Sequence, residues 1–312
     1  MRIVFFGTSI FAVPTLEALG STGHTPLAVV TRADQKGGRG AVLIQSPVKE
    51  LALRKKIPIL QPDNLSDFSF LVSLKEIDPE LFIVVSYGKI LSVPLLALPV
   101  KGSVNLHPSL LPKYRGASPI PWAILNGDTR TGLSVIRMTE EVDAGEILLQ
   151  KEVAIGKDED AVHLSERLAA EGGKIVIEFL ERFKKGPLAG TPQKGKVTLA
   201  PRFKKEDGRI DWSKEAGQIS RQIRALVPWP GSYSFLKGKR IVFWKAREEE
   251  GKGRPGEIIE ASEKGGIRVA AGKGHLLMEE VQLEGKERMS AAQFLRGSPL
   301  RAGDTFSAQS VS

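Results

Sequence analysis

The chain has 312 residues, of which 41% are apolar and 26% charged, with a net charge of +9 and no cysteine. That length supports a full hydrophobic core and two domains, while the absence of cysteine excludes disulfides, thiolate metal sites and a thiol nucleophile. No uncharged apolar run approaches the ~20 residues of a membrane span.

The first residues, MRIVFFG, run straight into a strand, with neither a secretory h-region nor an Arg/Ser-rich transit segment, so a cytoplasmic protein is expected. RIVFFG predicts that strand, IFAVPTLEALG a helix and TPLAVVT a second strand. SPVKELALRKK reads as helix, IPIL as a short strand and SFLVSLKEI as helix again. LFIVVS is apolar throughout, as befits a central strand covered on both faces. SVNL follows as strand, ASPIPWAILNG as a proline-led helix, and TGLSVIRM and EILLQKEVAI as strands. A long amphipathic helix over residues 160–184 closes the unit. This alternation predicts an α/β fold on a doubly wound, mostly parallel, Rossmann-like sheet. Ligands of such sheets sit beyond the carboxyl ends of the strands.

Residues 189–207 have the Gly, Pro and Lys content of a linker, which sets the first domain at 1–188 and the second at 208–312. In the second, one helix ends in a Pro-Trp-Pro-Gly turn. The β-rich runs SYSFL, RIVFWKA, GEIIEA, GIRVAA and HLLMEEVQL then predict a smaller barrel of the oligonucleotide-binding (OB) type. Charge is uneven between the halves. Residues 1–200 carry 24 Lys and Arg against 21 Asp and Glu, whereas residues 201–312 carry 21 against 15. A basic second half points to a polyanion, nucleic acid first, although a well-solvated Lys/Arg surface accounts for the same numbers.

Gly7-Thr8-Ser9 lacks the further glycines of G-x-G-x-x-G, which argues against a nicotinamide or flavin cofactor, and no Walker sequence supports nucleotide hydrolysis. The four histidines, His24, His107, His163 and His275, have no metal-ligand spacing, so no metal is expected. DQKGGRG, residues 34–40, is a mobile, anion-seeking loop or simply a polar surface loop. Asn105 and His107 flank one residue at a strand end, so their side chains share a face. Asp143 opens a turn between two strands of the same sheet. An amide donor stabilises a developing oxyanion, an imidazole moves a proton near neutral pH, and a carboxylate beside it fixes the tautomer. Together they suit acyl transfer to an amine, although a single histidine at a strand end is more often structural. Ser109 lies nearby without the G-x-S-x-G elbow of a serine hydrolase.

Asn105-x-His107, followed by Ser109-Leu110-Leu111-Pro112, Arg115-Gly116 and Asp143-x-Gly145, resembles the 10-formyltetrahydrofolate-dependent formyltransferases. Other stretches are similar to the branch of that family acting on methionyl-tRNA. They are Gly37-Gly38-Arg39-Gly40, Ser46-Pro47-Val48-Lys49, Thr198-Leu199-Ala200-Pro201, Gly208-Arg209-Ile210-Asp211-Trp212, Pro228-Trp229-Pro230-Gly231 and Met289-Ser290-Ala291. The similarity runs over residues 1–295. It departs from the family at Ser9, where proline is usual, and at Ala41-Val42, where lysines often follow the glycine-rich loop.

The resemblance implies formyl transfer from 10-formyltetrahydrofolate to the α-amine of methionyl initiator tRNA, with Asn105, His107 and Asp143 catalytic. It marks Ser109, Leu110, Leu111 and Pro112 as folate-contacting, and sets the pterin near Tyr87, Gly88, Ile90 and Leu91. The tRNA phosphates are expected on the basic second domain, with Lys36 and Arg39 at the acceptor end. A monomer free of membrane is expected. A formyltransferase acting on an amino sugar or other small amine would share the Asn, His and Asp set, and is the alternative.

Overall fold

A computed structural model describes residues 1–37, 42–297 and 300–307. The chain divides into two compact units. The first comprises Met1–Pro119, Arg130–Ala154 and Ser165–Pro201; the second comprises Ile120–Thr129, Ile155–Leu164 and Arg202–Ser312.

In chain order the first strands are β1 (Ile3–Gly7), β2 (Ala28–Val30), β3 (Gln35–Gly37), β4 (Val42–Ile44), β5 (Ile59–Leu60), β6 (Leu81–Val85), β7 (Ser103–His107), β8 (Arg130–Arg137) and β9 (Ile147–Ala154). Between them lie helices α1 (Val13–Ser21), α2 (Pro47–Arg54), α3 (Phe68–Ile77), α4 (Val93–Leu96) and α5 (Pro119–Leu125), with α6 (Ala161–Lys184) following β9. Seven strands form one sheet in the order β5-β2-β1-β6-β7-β8-β9, and β3 pairs with β4 in a separate hairpin. From β5 to β7 neighbours are parallel, whereas β8 and β9 are antiparallel additions. The parallel-dominated sheet matches the expected fold class. For β9 the cause is local: no helix separates β8 from β9, so the chain folds back as a hairpin.

Every residue of β1 and β6 is buried, which requires cover on both faces. One face packs Val4, Phe6, Phe82 and Val84 against Phe70, Leu74 and Leu95 of α3 and α4. On α6, a Cβ at Gly172 would stand 2.7 Å from Leu106 Cδ2, so this helix lies closer to β7 than a larger residue would allow. The strand order reverses between β1 and β6, and their carboxyl ends therefore open the crevice of a doubly wound sheet. There Thr8 Oγ1 donates to the Tyr87 carbonyl at 2.9 Å, and Ser9 Oγ to Ser86 Oγ at 2.7 Å.

The stretch expected as a linker is held to the first unit as far as Pro201. Thr191 and Ile147 exchange two backbone hydrogen bonds of 2.9 Å, and the Ala200 N–H donates to the Arg115 carbonyl at 2.7 Å. Backbone groups make these bonds, so no apolar pattern is needed and the composition stays that of a loop.

The second unit contains α7 (Ala216–Ala225), β10 (Ser232–Leu236), β11 (Lys239–Glu249), β12 (Ile258–Ser262), β13 (Gly266–Ala270), β14 (His275–Leu283), β15 (Met289–Ser290) and α8 (Ala291–Gly297). Its antiparallel sheet runs β10-β11-β14-β13-β12, with β15 on β14. The two edges are joined by the segment after α8, through bridges Phe235 to Ser307 and Glu257 to Thr305, which closes the barrel. Inside it Phe306 lies 5.5 Å from the Trp212 ring and 5.3 Å from Phe243. Among the described residues no helix is long and apolar enough to cross a membrane.

Candidate active site

Strand β7 delivers Asn105 and His107 to one face, and the turn between β8 and β9 brings Asp143 against both. Asn105 Nδ2 lies 3.4 Å from Asp143 Oδ1, and His107 Nδ1 lies 3.4 Å from Asp143 Oδ2. Both contacts are longer than a tight hydrogen bond. The carboxylate also accepts a 2.9 Å bond from the Gly116 N–H. Asp143 adopts φ 54°, a left-handed conformation that aspartate tolerates better than most residues.

The ring of His107 is 3% exposed, and its Nε2 lies 2.9 Å from the Tyr114 carbonyl oxygen. A carbonyl can only accept, so Nε2 carries the hydrogen and Nδ1 is left toward Asp143. The main chain at Tyr114 therefore sets the tautomer, a role sequence reasoning gave to the carboxylate. Burial pushes the His107 ring below its ordinary value of 6.5, while Asp143 and the Tyr114 carbonyl pull in the opposite direction. Neutral imidazole is the resting form, with Asp143 placed to steady a proton arriving at Nδ1.

Several supporting contacts were not found from the sequence, which marks Arg115-Gly116 only as part of the family resemblance. Gln193 Nε2 donates to the carbonyls of Asp143 and Gly145 at 2.8 and 2.9 Å, while its Oε1 accepts from Arg115 Nε and NH2 at 3.1 and 2.9 Å. Arg115 NH1 reaches Glu141 at 2.9 Å. Gln193 lies in the stretch read as a linker, and main-chain donors such as Gly116 leave no mark in a sequence. Ser134 and Gln150 face each other on β8 and β9 and brace the turn after β7. Ser134 Oγ donates to the Ser109 carbonyl at 2.7 Å, and Gln150 Nε2 to the Leu111 carbonyl at 3.1 Å. A buried polar residue within an apolar strand was the available signal there.

Of the residues expected around the folate, Ser109 and Leu111 are buried, whereas Leu110 and Pro112 are half-buried. Gly88 and Ile90 are exposed, but Tyr87 and Leu91 belong to the core. The Tyr87 ring meets Phe6 edge-on at 5.5 Å. Among the described residues its hydroxyl has no hydrogen-bond partner, and burial pushes its pKa up to about 12 against the pull of Arg32. Arg39 lies outside the described residues, as does the side chain of Lys36, whose backbone is on β3.

The formyl transferase family model matches residues 1–180, and the formyl transferase C-terminal domain model matches residues 202–299. The methionyl-tRNA formyltransferase of Thermodesulfovibrio yellowstonii is 44% identical over 306 residues, 98% of this chain and 99% of that protein. Among solved structures, HypX from Aquifex aeolicus with tetrahydrofolic acid superposes with a TM-score of 0.64 at 19% identity, covering 98% of this chain. This chain spans 50% of HypX. An N-formyltransferase from Helicobacter canadensis, solved with folinic acid and dTDP-3-aminofucose, gives 0.66 at 17% identity, covering 89% of this chain and 99% of that one. These two likenesses show the fold alone; the family models and the full-length identity place this chain among the methionyl-tRNA formyltransferases of the formyl transferase family.

Proposed function

We propose that the protein transfers a formyl group from 10-formyltetrahydrofolate to the α-amine of methionyl initiator tRNA. The observation that carries this reading is the meeting of Asn105, His107 and Asp143, within 3.4 Å contacts, in a chain with the family's full-length sequence. The folate ligands of the two solved neighbours support a folate donor, which supplies the activated formyl carbon. The strand-end crevice fits such a group. Ile10 and Ile90, 68% and 76% exposed, follow the adjacent ends of β1 and β6 and offer apolar surface to a flat ring. We assign the buried Tyr87, Leu91, Ser109 and Leu111 to supporting that crevice, since the main-chain groups of Ser109 and Leu111 are already bonded to His107, Ser134 and Gln150.

An α-amine titrates near ~7.7–8.0, so a neutral fraction is already present at physiological pH. The harder demand is the charge that develops on the formyl oxygen as the amine adds. Asn105 Nδ2 is the donor for that oxygen, a contribution worth on the order of 100–1000-fold in rate. His107 takes the amine proton at Nδ1, Asp143 steadies the imidazolium, and the ring then passes the proton to the departing folate nitrogen. We assign Lys36 and Arg39 to the acceptor end of the tRNA on the charge of the sequence DQKGGRG.

The test is formyl transfer assayed with charged initiator tRNA beside a nucleotide-linked amino sugar. The tRNA is expected to be formylated. Asn105→Ala and His107→Ala should each lower kcat on the order of 100-fold or more, while tRNA retention in a filter assay stays close to that of the unmodified protein. Formylation of the sugar alone would overturn the substrate. A parallel loss of tRNA retention would overturn the catalytic roles.

A further inference from the structure

The left-handed turn that carries Asp143 has few anchors of its own. Asp143 sits at φ 54°, and its carboxylate meets Asn105 and His107 only at 3.4 Å. Beside the Gly116 N–H on the carboxylate and Arg115 on Glu141, Gln193 ties down the backbone of the turn from outside. Its amide N–H groups bond the carbonyls on either side of Ala144, and its oxygen is gripped twice by Arg115. Arg115 immediately precedes Gly116, whose N–H bonds the Asp143 carboxylate at 2.9 Å. One side chain thus links both pieces of backbone that aim the carboxylate.

We infer that Gln193 is a positioning residue, which holds Asp143 against His107 and so sets the proton affinity of the ring. The inference rests on the functional reading above for its kinetic part only. The ring is faced by the Asp143 carboxylate at Nδ1 and by the Tyr114 carbonyl at Nε2, and the neighbouring Arg115 guanidinium is turned to Gln193 and Glu141. When Asp143 drifts, the ring loses the charge that favours its protonation, and its titration moves to lower pH.

Two variants separate this role from a merely structural one. Gln193→Glu keeps the shape and gains an ion pair with Arg115, but presents oxygen to the two carbonyls; Gln193→Ala removes both ends. If Gln193 positions Asp143, both variants lose on the order of 10–100-fold in kcat, with KM for tRNA and folate within about twofold. In both, the His107 ring, followed by NMR with labelled histidine, titrates at lower pH, as in Asp143→Asn. A Glu variant with unaltered kcat and an unaltered ring titration overturns the inference, whatever Gln193→Ala does. So does failure of both variants to fold, which would assign Gln193 to the fold; if only the Ala variant fails, the Glu variant decides. Should the unmodified protein not formylate methionyl-tRNA, the functional reading falls, and the NMR arm still judges Gln193.

Discussion

A Cβ on Gly145 would stand 1.7 Å from the Arg137 carbonyl oxygen, a backbone atom that cannot swing aside. The turn would have to move, and Asp143 with it. Gly145→Ala is therefore expected to cost about 1–3 kcal/mol of stability through overpacking, and to lower kcat in the same protein, read by denaturant unfolding and by turnover. Full activity would show that the turn has slack. His107 gives a second expectation at this scale. Because burial outweighs Asp143, the ring should titrate below 6.5 when followed by NMR. An unfolded chain would then bind that proton more readily than the folded one, so this ring lowers stability as pH falls below 6.5. A midpoint above 6.5 would overturn the neutral resting form. Asn105 and His107 were legible from the sequence as neighbours on one face, because strand geometry alternates strictly. The roles of Tyr114 and Gly116 were not, since they act through main-chain groups that any residue carries. Gln193 was hidden by its company: glycines, prolines and lysines read as loop.

Elements with long apolar patterns were readable in order. The buried run of β6 and the amphipathic α6 fall where the sequence places them. Shorter pieces escaped, among them α4, β15 and α8, because one or two turns of helix, or two residues of strand, carry too little period to detect. The segment that closes the second sheet was missed for another reason. It is irregular, and its hydrogen bonds to Phe235 and Gly256 are main-chain bonds. Phe306 is its anchor, buried among Trp212, Phe243 and the rest of that core. Phe306→Ala should cost about 3–5 kcal/mol by urea unfolding, as expected for a large aromatic removed from a packed site. A cost below about 1 kcal/mol would mean that the segment decorates the barrel and does not close it.

At the scale of the molecule the informative quantity is where the charge of +9 resides. Many basic side chains of the second half are already paired: Lys237 with Asp304, Arg268 with Glu249 and Glu260, Arg288 with Glu280, Arg296 with Glu263. Such groupings attract a polyanion weakly, because none presents a net positive charge at a distance. The excess shows at the start of the Arg202–Ser312 stretch, where Arg202, Lys205 and Arg209 are exposed. A tRNA that rests its phosphates on these groups releases counterions, and its affinity must fall steeply as salt rises. Each phosphate contact removed takes roughly 0.7–0.9 off the slope of log affinity against log salt. The triple variant Arg202→Gln, Lys205→Gln, Arg209→Gln should therefore show a shallower plot and a raised KM for tRNA. If these groups only hold the substrate, kcat at saturating tRNA should stay within about twofold. A plot as steep in the variant would move the phosphate contacts elsewhere on the chain. A flat plot in the unmodified protein would leave its positive charge without a nucleic-acid role.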